Sequence, residues 1–273
     1  MTALPPLLLP PLLLVGGGKM GSAMLAGWRE LGLAPSVLID PSAAAQDLAG
    51  PNLTVVPGID AVPPGFTPAC VVLAVKPQIA AEVLPALARF SGDALFVSIM
   101  AGRAVTGMRT MLGGHASVVR AMPNTPAAIR QGITVGFAGP GVSAAQRTLA
   151  DRLLTAIGTV AWVDDESMID AVTAVSGSGP AYVFLLAELM EQAAREQGLP
   201  PDLARLLARQ TVAGSGALLV ASNQEAADLR RAVTSPGGTT ERALQVLMHP
   251  TALPKAMSEA IAAATTRSRE LAG

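Results

Sequence analysis

The clearest indication of the fold of this 273-residue chain is the segment Leu12-Leu13-Leu14-Val15-Gly16-Gly17-Gly18-Lys19-Met20-Gly21. Its apolar start, Leu12–Val15, predicts a buried strand, and Gly16, Gly18 and Gly21 follow at G-x-G-x-x-G spacing. In a dinucleotide-binding turn the first glycine permits a tight bend, the second lets the backbone approach a pyrophosphate, and the third lets helix pack on strand. Such glycines also occur in plain loops, so the strand before them and the helix after them carry the interpretation. We expect the pyrophosphate at the helix N-terminus.

Short apolar runs alternate with helical stretches over the first part of the chain. This alternation predicts a parallel sheet covered by helices on both faces, an α/β Rossmann-type domain over residues 1–164. The predicted strands are Leu12–Val15, Val37–Ile39, Leu53–Val56, Ala69–Val75, Leu95–Ile99, Ser117–Ala121, Gly132–Phe137 and Thr159–Val163. The predicted helices of this part are Ser22–Leu31, Ile79–Phe90 and Ser143–Ile157.

Strand signals end after residue 164, and Ala- and Leu-rich helices follow. We therefore predict an all-α domain over residues 165–273. Because exposed apolar patches of this size are rare on monomers, we interpret it as a dimerisation domain. Its predicted helices are Ser167–Val175, Ala181–Gln197, Asp202–Ala221, Glu225–Val233, Glu241–Leu247 and Thr251–Leu271.

Composition narrows the class of protein. Hydrophobic residues make up 51% and charged residues 14% of the chain, which excludes a disordered protein. The net charge of −1 and the lack of a basic run indicate no nucleic-acid partner. Prolines break the N-terminal apolar stretch and no Lys or Arg precedes it, so it resembles neither a signal peptide nor a membrane span. We expect a cytoplasmic protein without a membrane partner, in which the residues before Leu12 form a flexible lead-in.

Cysteine and histidine are scarce. The single cysteine, Cys70, lies in an apolar run and is expected to be a buried core thiol. His115 and His249 are the only histidines, and neither belongs to a metal-ligand spacing or a triad-like cluster. We expect both in exposed loops and predict no metal site.

Polar residues at strand ends indicate where a cofactor binds. Asp40 ends the second predicted strand, where an acid holds the ribose 2′-hydroxyl of NAD and repels the extra phosphate of NADP. It equally suits the start of an Asp-Pro turn. Lys76 follows the fourth strand and is expected beside the cofactor, because ligands of doubly wound sheets bind outside the carboxyl ends of the strands. The alternative for Lys76 is a solvated strand-end lysine.

Two further segments follow strands on the same predicted edge. Ala101-Gly102 follows the fifth strand, and Asn124-Thr125 lies between two prolines after the sixth. The polar pair is expected to bond the nicotinamide carboxamide or the substrate, unless the prolines only shape a rigid loop.

Two loops of the helical part present hydroxyls and N–H groups at helix N-termini, Ser176–Pro180 and Ser235–Thr240. Such a loop can receive a carboxylate, although Ser and Thr also simply cap helices. After residue 164 the only Tyr and Lys are Tyr182 and Lys255, so no obvious proton donor for a carbonyl is present. A protonated imine is already an electrophile and needs none.

The chain closely resembles the pyrroline-5-carboxylate reductase family at these residues. The matching segments are Gly16–Gly21, Ala74–Gln78, Val119–Pro126, Ser176–Tyr182, Leu229-Arg230 and, most specifically, Val233–Thr240. The resemblance implies reduction of L-1-pyrroline-5-carboxylate to L-proline by NADPH or NADH, and a homodimer, often assembled further, whose active site is shared between a cofactor and the helical loops.

The resemblance also implies roles for particular residues. Thr240 would be the catalytic residue that hydrogen-bonds the ring nitrogen, and the substrate carboxylate would bind at Ser235, Gly237, Gly238 and Thr239. The residues expected to bind the cofactor are Gly16, Gly18, Lys19, Met20, Gly21, Asp40, Ala74, Val75, Lys76, Pro77, Ala101, Gly102 and Asn124. Many family members have Asn at the position of Lys19. Members often prefer NADPH, whereas Asp40 favours NADH, so cofactor preference stays open.

Three other classes of protein remain as alternatives. A β-hydroxyacid dehydrogenase would place a catalytic lysine in the early helices of the second domain, and none is present there. A broad imine reductase would not need the carboxylate-receiving loop. A nucleotide-binding sensor without catalysis would not need it either.

Overall fold

The computed structural model describes residues 8–272 of the chain. Eight strands and ten α-helices are formed in this part. The strands are β1 (Leu12–Val15), β2 (Ser36–Ile39), β3 (Leu53–Val56), β4 (Cys70–Leu73), β5 (Leu95–Ser98), β6 (Ser117–Met122), β7 (Gly132–Ala138) and β8 (Gly158–Val163). The helices are α1 (Lys19–Leu31), α2 (Ala80–Leu87), α3 (Val105–Met111), α4 (Ala144–Thr155), α5 (Met168–Val172), α6 (Gly179–Glu196), α7 (Pro201–Ala221), α8 (Ala226–Ala232), α9 (Thr239–Leu247) and α10 (Leu253–Ala272).

All eight strands join one sheet in the order β3-β2-β1-β4-β5-β6-β7-β8. Strands β1 to β6 all pair in parallel with their neighbours among these six, which confirms the Rossmann-type prediction. The expectation of a wholly parallel sheet is wrong at one place, because β7 pairs antiparallel with β6. Only a short 3₁₀ turn, Thr125–Ile129, lies between these strands, and a parallel crossover needs a dozen residues or more. β8 is parallel to β7.

Helices cover both faces of the sheet, as predicted. On one face Trp28 of α1 and Leu153 of α4 join a buried cluster. On the other face Leu84 of α2 and Met108 of α3 do so. Cys70 is fully buried, as expected, and burial raises the pKa of its thiol.

Three local predictions need correction. Helix α3 was not predicted, since its short sequence includes Thr and Gly, which disfavour helix. The proposed lead-in falls partly on residues 1–7, outside the described part, but Leu9 is fully buried and bridged to Leu33, so the flexible lead-in is wrong there. The predicted loop at Ser176–Pro180 is also too long. A π-helical turn occupies Thr173–Gly177, the Ser176 hydroxyl donates to the Val172 carbonyl (3.0 Å), and α6 begins at Gly179.

The described residues form two compact units. The first extends to Gly177 and includes the chain from Ala264 onward, and the second is Ser178–Ala263. The sequence predicts a domain boundary after residue 164, directly after the last strand of the sheet ends at Val163. The first compact unit extends beyond that boundary, because it also contains α5 and the end of α10. In the second unit α6 and α7 are neighbours, and its buried hydrophobic residues are Ala204 and Ala208.

Candidate active site

The glycine loop is shaped by close packing of the backbone. Gly16 has φ +103°, and a Cβ there would lie 2.6 Å from the carbonyl oxygen of Ala74. A Cβ on Gly21 would lie 2.1 Å from the Gly16 carbonyl oxygen, so helix α1 approaches the strand as closely as a glycine allows. Gly18, the residue before α1, has no atom within 4 Å of its added Cβ. The chain itself therefore does not require glycine at Gly18, and the space beside it is open to a ligand.

Asp40 holds this loop through its carboxylate. Its Oδ2 accepts the N–H of Gly17 at 2.7 Å, and its Oδ1 accepts both the N–H (2.9 Å) and the hydroxyl (2.6 Å) of Ser42. Partial burial acts to raise the pKa of Asp40, but the hydrogen bonds from Ser42 and Gly17 together hold it below its ordinary value. Asp40 is therefore an anion that links the end of β2 to the turn after β1.

A pocket of about 780 Å³ opens at this edge of the sheet. It brings together six of the thirteen predicted cofactor residues: Gly16, Gly18, Asp40, Ala74, Val75 and Lys76. Its other lining residues are Val15, Ile39, Pro41, Ser42, Pro57, Gly58, Ile59, Ile79, Glu82, Val83, Ala86 and Leu87. The charged groups are the carboxylates of Asp40 and Glu82 and the ammonium of Lys76. A second cavity of about 280 Å³ near the start of β4 contains none of the predicted residues.

Several other predicted cofactor residues have structural surroundings of their own. Lys19 is the first residue of α1 and is exposed. Met20 is partly buried against the core cluster that contains Trp28. The carbonyl oxygen of Pro77 accepts hydrogen bonds from Nε (3.1 Å) and Nη2 (2.7 Å) of Arg103. None of these three predicted residues lines the 780 Å³ pocket.

The predicted residues that follow β5 and β6 also lie outside the lining of that pocket. Ala101 packs against a small cluster around Ile169. Gly102 has φ +62°, and a Cβ there would lie 2.9 Å from the Leu271 carbonyl oxygen, so the turn and the end of α10 account for this glycine. Asn124 Oδ1 accepts the N–H of Ile133 at 2.9 Å and so ties the β6–β7 turn to β7.

Sequence reasoning missed the part of the pocket that α2 and the turn before it supply. Ile79, Glu82, Val83 and Ala86 recur at the spacing of one helical face. This periodicity, directly after Lys76-Pro77 at a strand end, was the signal available for them.

In the second unit the predicted substrate loop is a tight turn that leads into α9. The N–H of Gly238 donates to the Ser235 carbonyl oxygen at 3.0 Å, and Gly237 has φ +72°. Thr239 and Thr240 are the first residues of α9, whose initial N–H groups have no acceptor within the helix. The N–H of Gly237 donates to Oε2 of Glu241 at 2.8 Å, a contact that the sequence did not predict.

The two histidines lie apart from both loops of the candidate site in the sequence. His115 and His249 lie in exposed loops, as predicted. Within residues 8–272, no group of three or more His, Cys, Asp or Glu side chains is placed to hold a metal ion.

Comparison with known proteins identifies the two parts separately. Residues 166–271 match the family model for pyrroline-5-carboxylate reductase dimerisation. Residues 12–102 match the model described as NADP oxidoreductase, coenzyme F420-dependent.

Similar proteins extend over almost the whole chain. The pyrroline-5-carboxylate reductase of Pseudomonas aeruginosa is 41% identical over 96% of this chain and 97% of its own length. The structure of a pyrroline-5-carboxylate reductase from Coxiella burnetii has a TM-score of 0.89 at 34% identity and covers 97% of this chain and 99% of that one. The Plasmodium falciparum pyrroline carboxylate reductase with NADP bound has a TM-score of 0.83 at 26% identity, with coverage of 97% and 98%.

The Rossmann-type sheet, the glycine-loop pocket and these matches define an NAD(P)H-dependent oxidoreductase. More specifically, the chain belongs to the pyrroline-5-carboxylate reductase family.

One helical run among the described residues, Met168–Glu196, is long and apolar enough to cross a membrane. A single run of this kind is weak evidence for a membrane span. It lies within the matched dimerisation region, where a contact between subunits explains exposed apolar side chains equally well.

Proposed function

We propose that this protein reduces L-1-pyrroline-5-carboxylate to L-proline with a hydride from a reduced nicotinamide dinucleotide, the last step of proline biosynthesis. The observation that carries the proposal is the identity of 41% over 96% of the chain with a reductase of that name. A β-hydroxyacid dehydrogenase, a general imine reductase or a catalytically inactive sensor has no comparable support.

The residues around the glycine loop fit the dinucleotide. The open space at Gly18, the N-terminus of α1 and the 780 Å³ pocket provide a surface on which a pyrophosphate can approach the backbone. When bound, the dinucleotide supplies the hydride. We assign its binding to the pocket residues Gly16, Gly18, Asp40, Ala74–Lys76, with Lys19 beside the phosphates. The other predicted residues, Met20, Gly21, Pro77, Ala101, Gly102 and Asn124, would contribute to dinucleotide binding from outside the lining of this pocket.

The loop of the second unit would bind the substrate. N–H groups at Gly237 and Thr239 can receive its carboxylate with the favourable field of a helix N-terminus, and the Ser235 hydroxyl can add a further bond. Gly238 would shape this site through the bond of its N–H to the Ser235 carbonyl oxygen. The Thr240 hydroxyl would orient the ring nitrogen, which makes it the catalytic residue of the chain. Most of the rate would then come from positioning and electrostatics.

We propose that NADH is the preferred cofactor, on the basis of the charges that line the pocket. A 2′-phosphate in this pocket would lie near the anionic Asp40 and near Glu82, with Lys76 as the only basic residue of the lining. Like charges at short range disfavour binding, whereas a ribose hydroxyl can donate to a carboxylate.

The proposal extends to assembly and location. The dimerisation match and the apolar helices of the second unit support a homodimer, and we propose that dimers assemble further. We also propose that the enzyme is cytoplasmic and acts on a small molecule, without a membrane or nucleic-acid partner.

The test follows oxidation of NADH and NADPH at 340 nm with L-1-pyrroline-5-carboxylate as acceptor. Thr240→Ala should lower kcat about tenfold or more, the effect of losing a hydrogen bond to a charged group, while NADH affinity stays nearly unchanged. Thr148→Ala, which removes a hydroxyl bonded only within α4, is the matched control. Absence of oxidation with either cofactor, in a protein that still binds nucleotide, would refute the function. Unchanged turnover of Thr240→Ala would remove Thr240 from the mechanism.

A further inference from the structure

Glu241 places a carboxylate of the chain on the proposed substrate loop. It is the third residue of α9, and its Oε2 accepts the N–H of Gly237 at 2.8 Å. Pro236 and Gly237, with φ +72° at Gly237, have the residue types and conformation of the central positions of a type II turn. The turn uses the Gly238 N–H internally, for the bond to Ser235. The Gly237 N–H takes no part in that bond and is left for another acceptor.

This arrangement differs from an ordinary helix cap. In a capping box, a Glu at the third helical position accepts the N–H of the residue just before the helix. That residue is Gly238, whose N–H is already bonded to Ser235. Glu241 instead reaches one residue further back, to a donor that our proposed function assigns to the substrate carboxylate.

The Glu241 carboxylate is stabilised at this position by the same two interactions that would stabilise a bound substrate carboxylate. A negative charge in the first turn of a helix is stabilised by the helix dipole, and a charged acceptor strengthens the bond to an N–H group. A second carboxylate that arrives from solution meets an occupied donor and a like charge. Both effects weaken its binding as long as Glu241 stays in place.

We propose that Glu241 occupies the substrate-carboxylate position of the free enzyme and must leave it before L-1-pyrroline-5-carboxylate binds. Glu241 is thus a specificity-determining residue that sets the KM for carboxylate-bearing imines. The inference rests on the proposed function, because that function assigns the Gly237 N–H to the substrate. When only a fraction of the molecules is competent to bind, the apparent affinity falls by that fraction.

The test compares two imines that differ only in the carboxylate. Glu241→Ala should lower the KM for L-1-pyrroline-5-carboxylate on the order of tenfold, since the competing group is removed. Glu241→Gln should give a smaller decrease, because its amide oxygen still accepts the N–H but carries no charge. For 1-pyrroline, which lacks the carboxylate, kcat/KM should not change in either variant. Glu259→Ala removes an exposed carboxylate of α10 and is the matched control.

Two kinetic outcomes would overturn the inference in an active enzyme. One is a KM for L-1-pyrroline-5-carboxylate that does not change in Glu241→Ala. The other is a KM that rises in Glu241→Ala and stays at the wild-type value in Glu241→Gln, because Glu241 would then only support the loop.

Calorimetric titration with cyclopentanecarboxylate separates this inference from the proposed function, because it requires no turnover. Tighter binding to Glu241→Ala than to wild type supports the inference even if the wild-type enzyme reduces no imine. Equal or weaker binding to a variant that melts at the wild-type temperature refutes it. Failure of the proposed function alone would appear as a wild-type protein without reductase activity.

Discussion

At the scale of single residues, Asp40 combines a structural contact with a selective charge. Its Oδ2 holds the Gly17 N–H at 2.7 Å, and its Oδ1 holds Ser42. Its pKa is lowered from the ordinary value of 3.8, so the carboxylate is ionised at neutral pH. Both interpretations of Asp40 that the sequence left open, a turn residue and a cofactor residue, are compatible with this geometry. Substitution can separate them.

Asp40→Asn should raise the ratio of kcat/KM for NADPH to that for NADH by about tenfold, equivalent to about 1.4 kcal/mol of relieved repulsion. The absolute kcat/KM for NADH should decrease, because one amide group cannot accept every hydrogen bond that the carboxylate accepts. Steady-state assays with both cofactors measure these effects.

Glu82→Gln is the control for Asp40→Asn, because Glu82 lines the same pocket and has no hydrogen bond to the glycine loop within the described structure. It should change the ratio less and leave the KM for NADH nearly constant. Equal losses with both cofactors in Asp40→Asn would mean that Asp40 only supports the loop.

At the scale of secondary-structure elements, the strands could be predicted because each is a short, nearly continuous apolar run between turn residues. The direction of β7 was also within reach, since the segment before it is too short for a parallel crossover. Helix α3 was not, because Val105–Met111 has neither the length nor the periodicity of a clear helix.

Some features of the candidate site could likewise be predicted from the sequence, and others could not. The glycine loop follows from residue type and spacing, which fix the backbone, and the structure places Gly16 and Gly18 at a pocket. The bonds from Gly17 to Asp40 and from Gly237 to Glu241 depend on side-chain conformation and on neighbours that meet only after folding. Spacing alone carries no information about them.

An ionic cluster around Arg120 connects four elements of the first unit, namely β6, α3, α5 and α10. Arg120 of β6 is 3% exposed, and its Nη1 lies 3.1 Å from Oε1 of Glu166, which also accepts the Val105 N–H. Asp170 of α5 lies 3.8 Å from Nη2 of Arg120 and accepts the hydroxyl of Ser268 in α10. The end of α10 is thereby attached to a charge buried in the sheet.

Glu166→Ala should lower the free energy of unfolding by about 2 kcal/mol, less than for a fully buried pair, because Glu166 is partly exposed and Asp170 remains. Arg120→Met combined with Glu166→Ala should cost less than the sum of the single variants, since neither member of the Arg120–Glu166 pair is then left without the other. Asp170 loses Arg120 in the single Arg120→Met variant and in the double variant alike, so this loss cancels in the comparison. Urea unfolding at fixed protein concentration measures both. Glu30→Ala breaks an exposed pair with Arg130 and should change little. Additive effects would show that the pair is not coupled.

At the scale of the whole molecule, the second unit lacks a core of its own. Its buried hydrophobic residues are alanines, whereas Phe184 is 65% and Leu206 56% exposed. Ordering a residue costs about 1–2 kcal/mol, which the burial of a few methyl groups does not offset. The helices must therefore be covered by other protein surface, and the dimerisation match indicates that a second copy provides it.

We therefore expect folding of the helical unit to depend on association. The melting temperature should rise with protein concentration, because dissociation and unfolding are linked. Phe184→Asp should weaken the dimer and reduce helical circular dichroism on dilution, since it places a charge within the covered surface. Ile129→Asp is the control, because it changes an apolar side chain that is similarly exposed but lies outside the matched dimerisation region. It should leave dimer stability and helical circular dichroism on dilution unchanged. A concentration-independent melting temperature, with a monomer of full helical content in sedimentation and dichroism, would mean that the unit is stable without a partner.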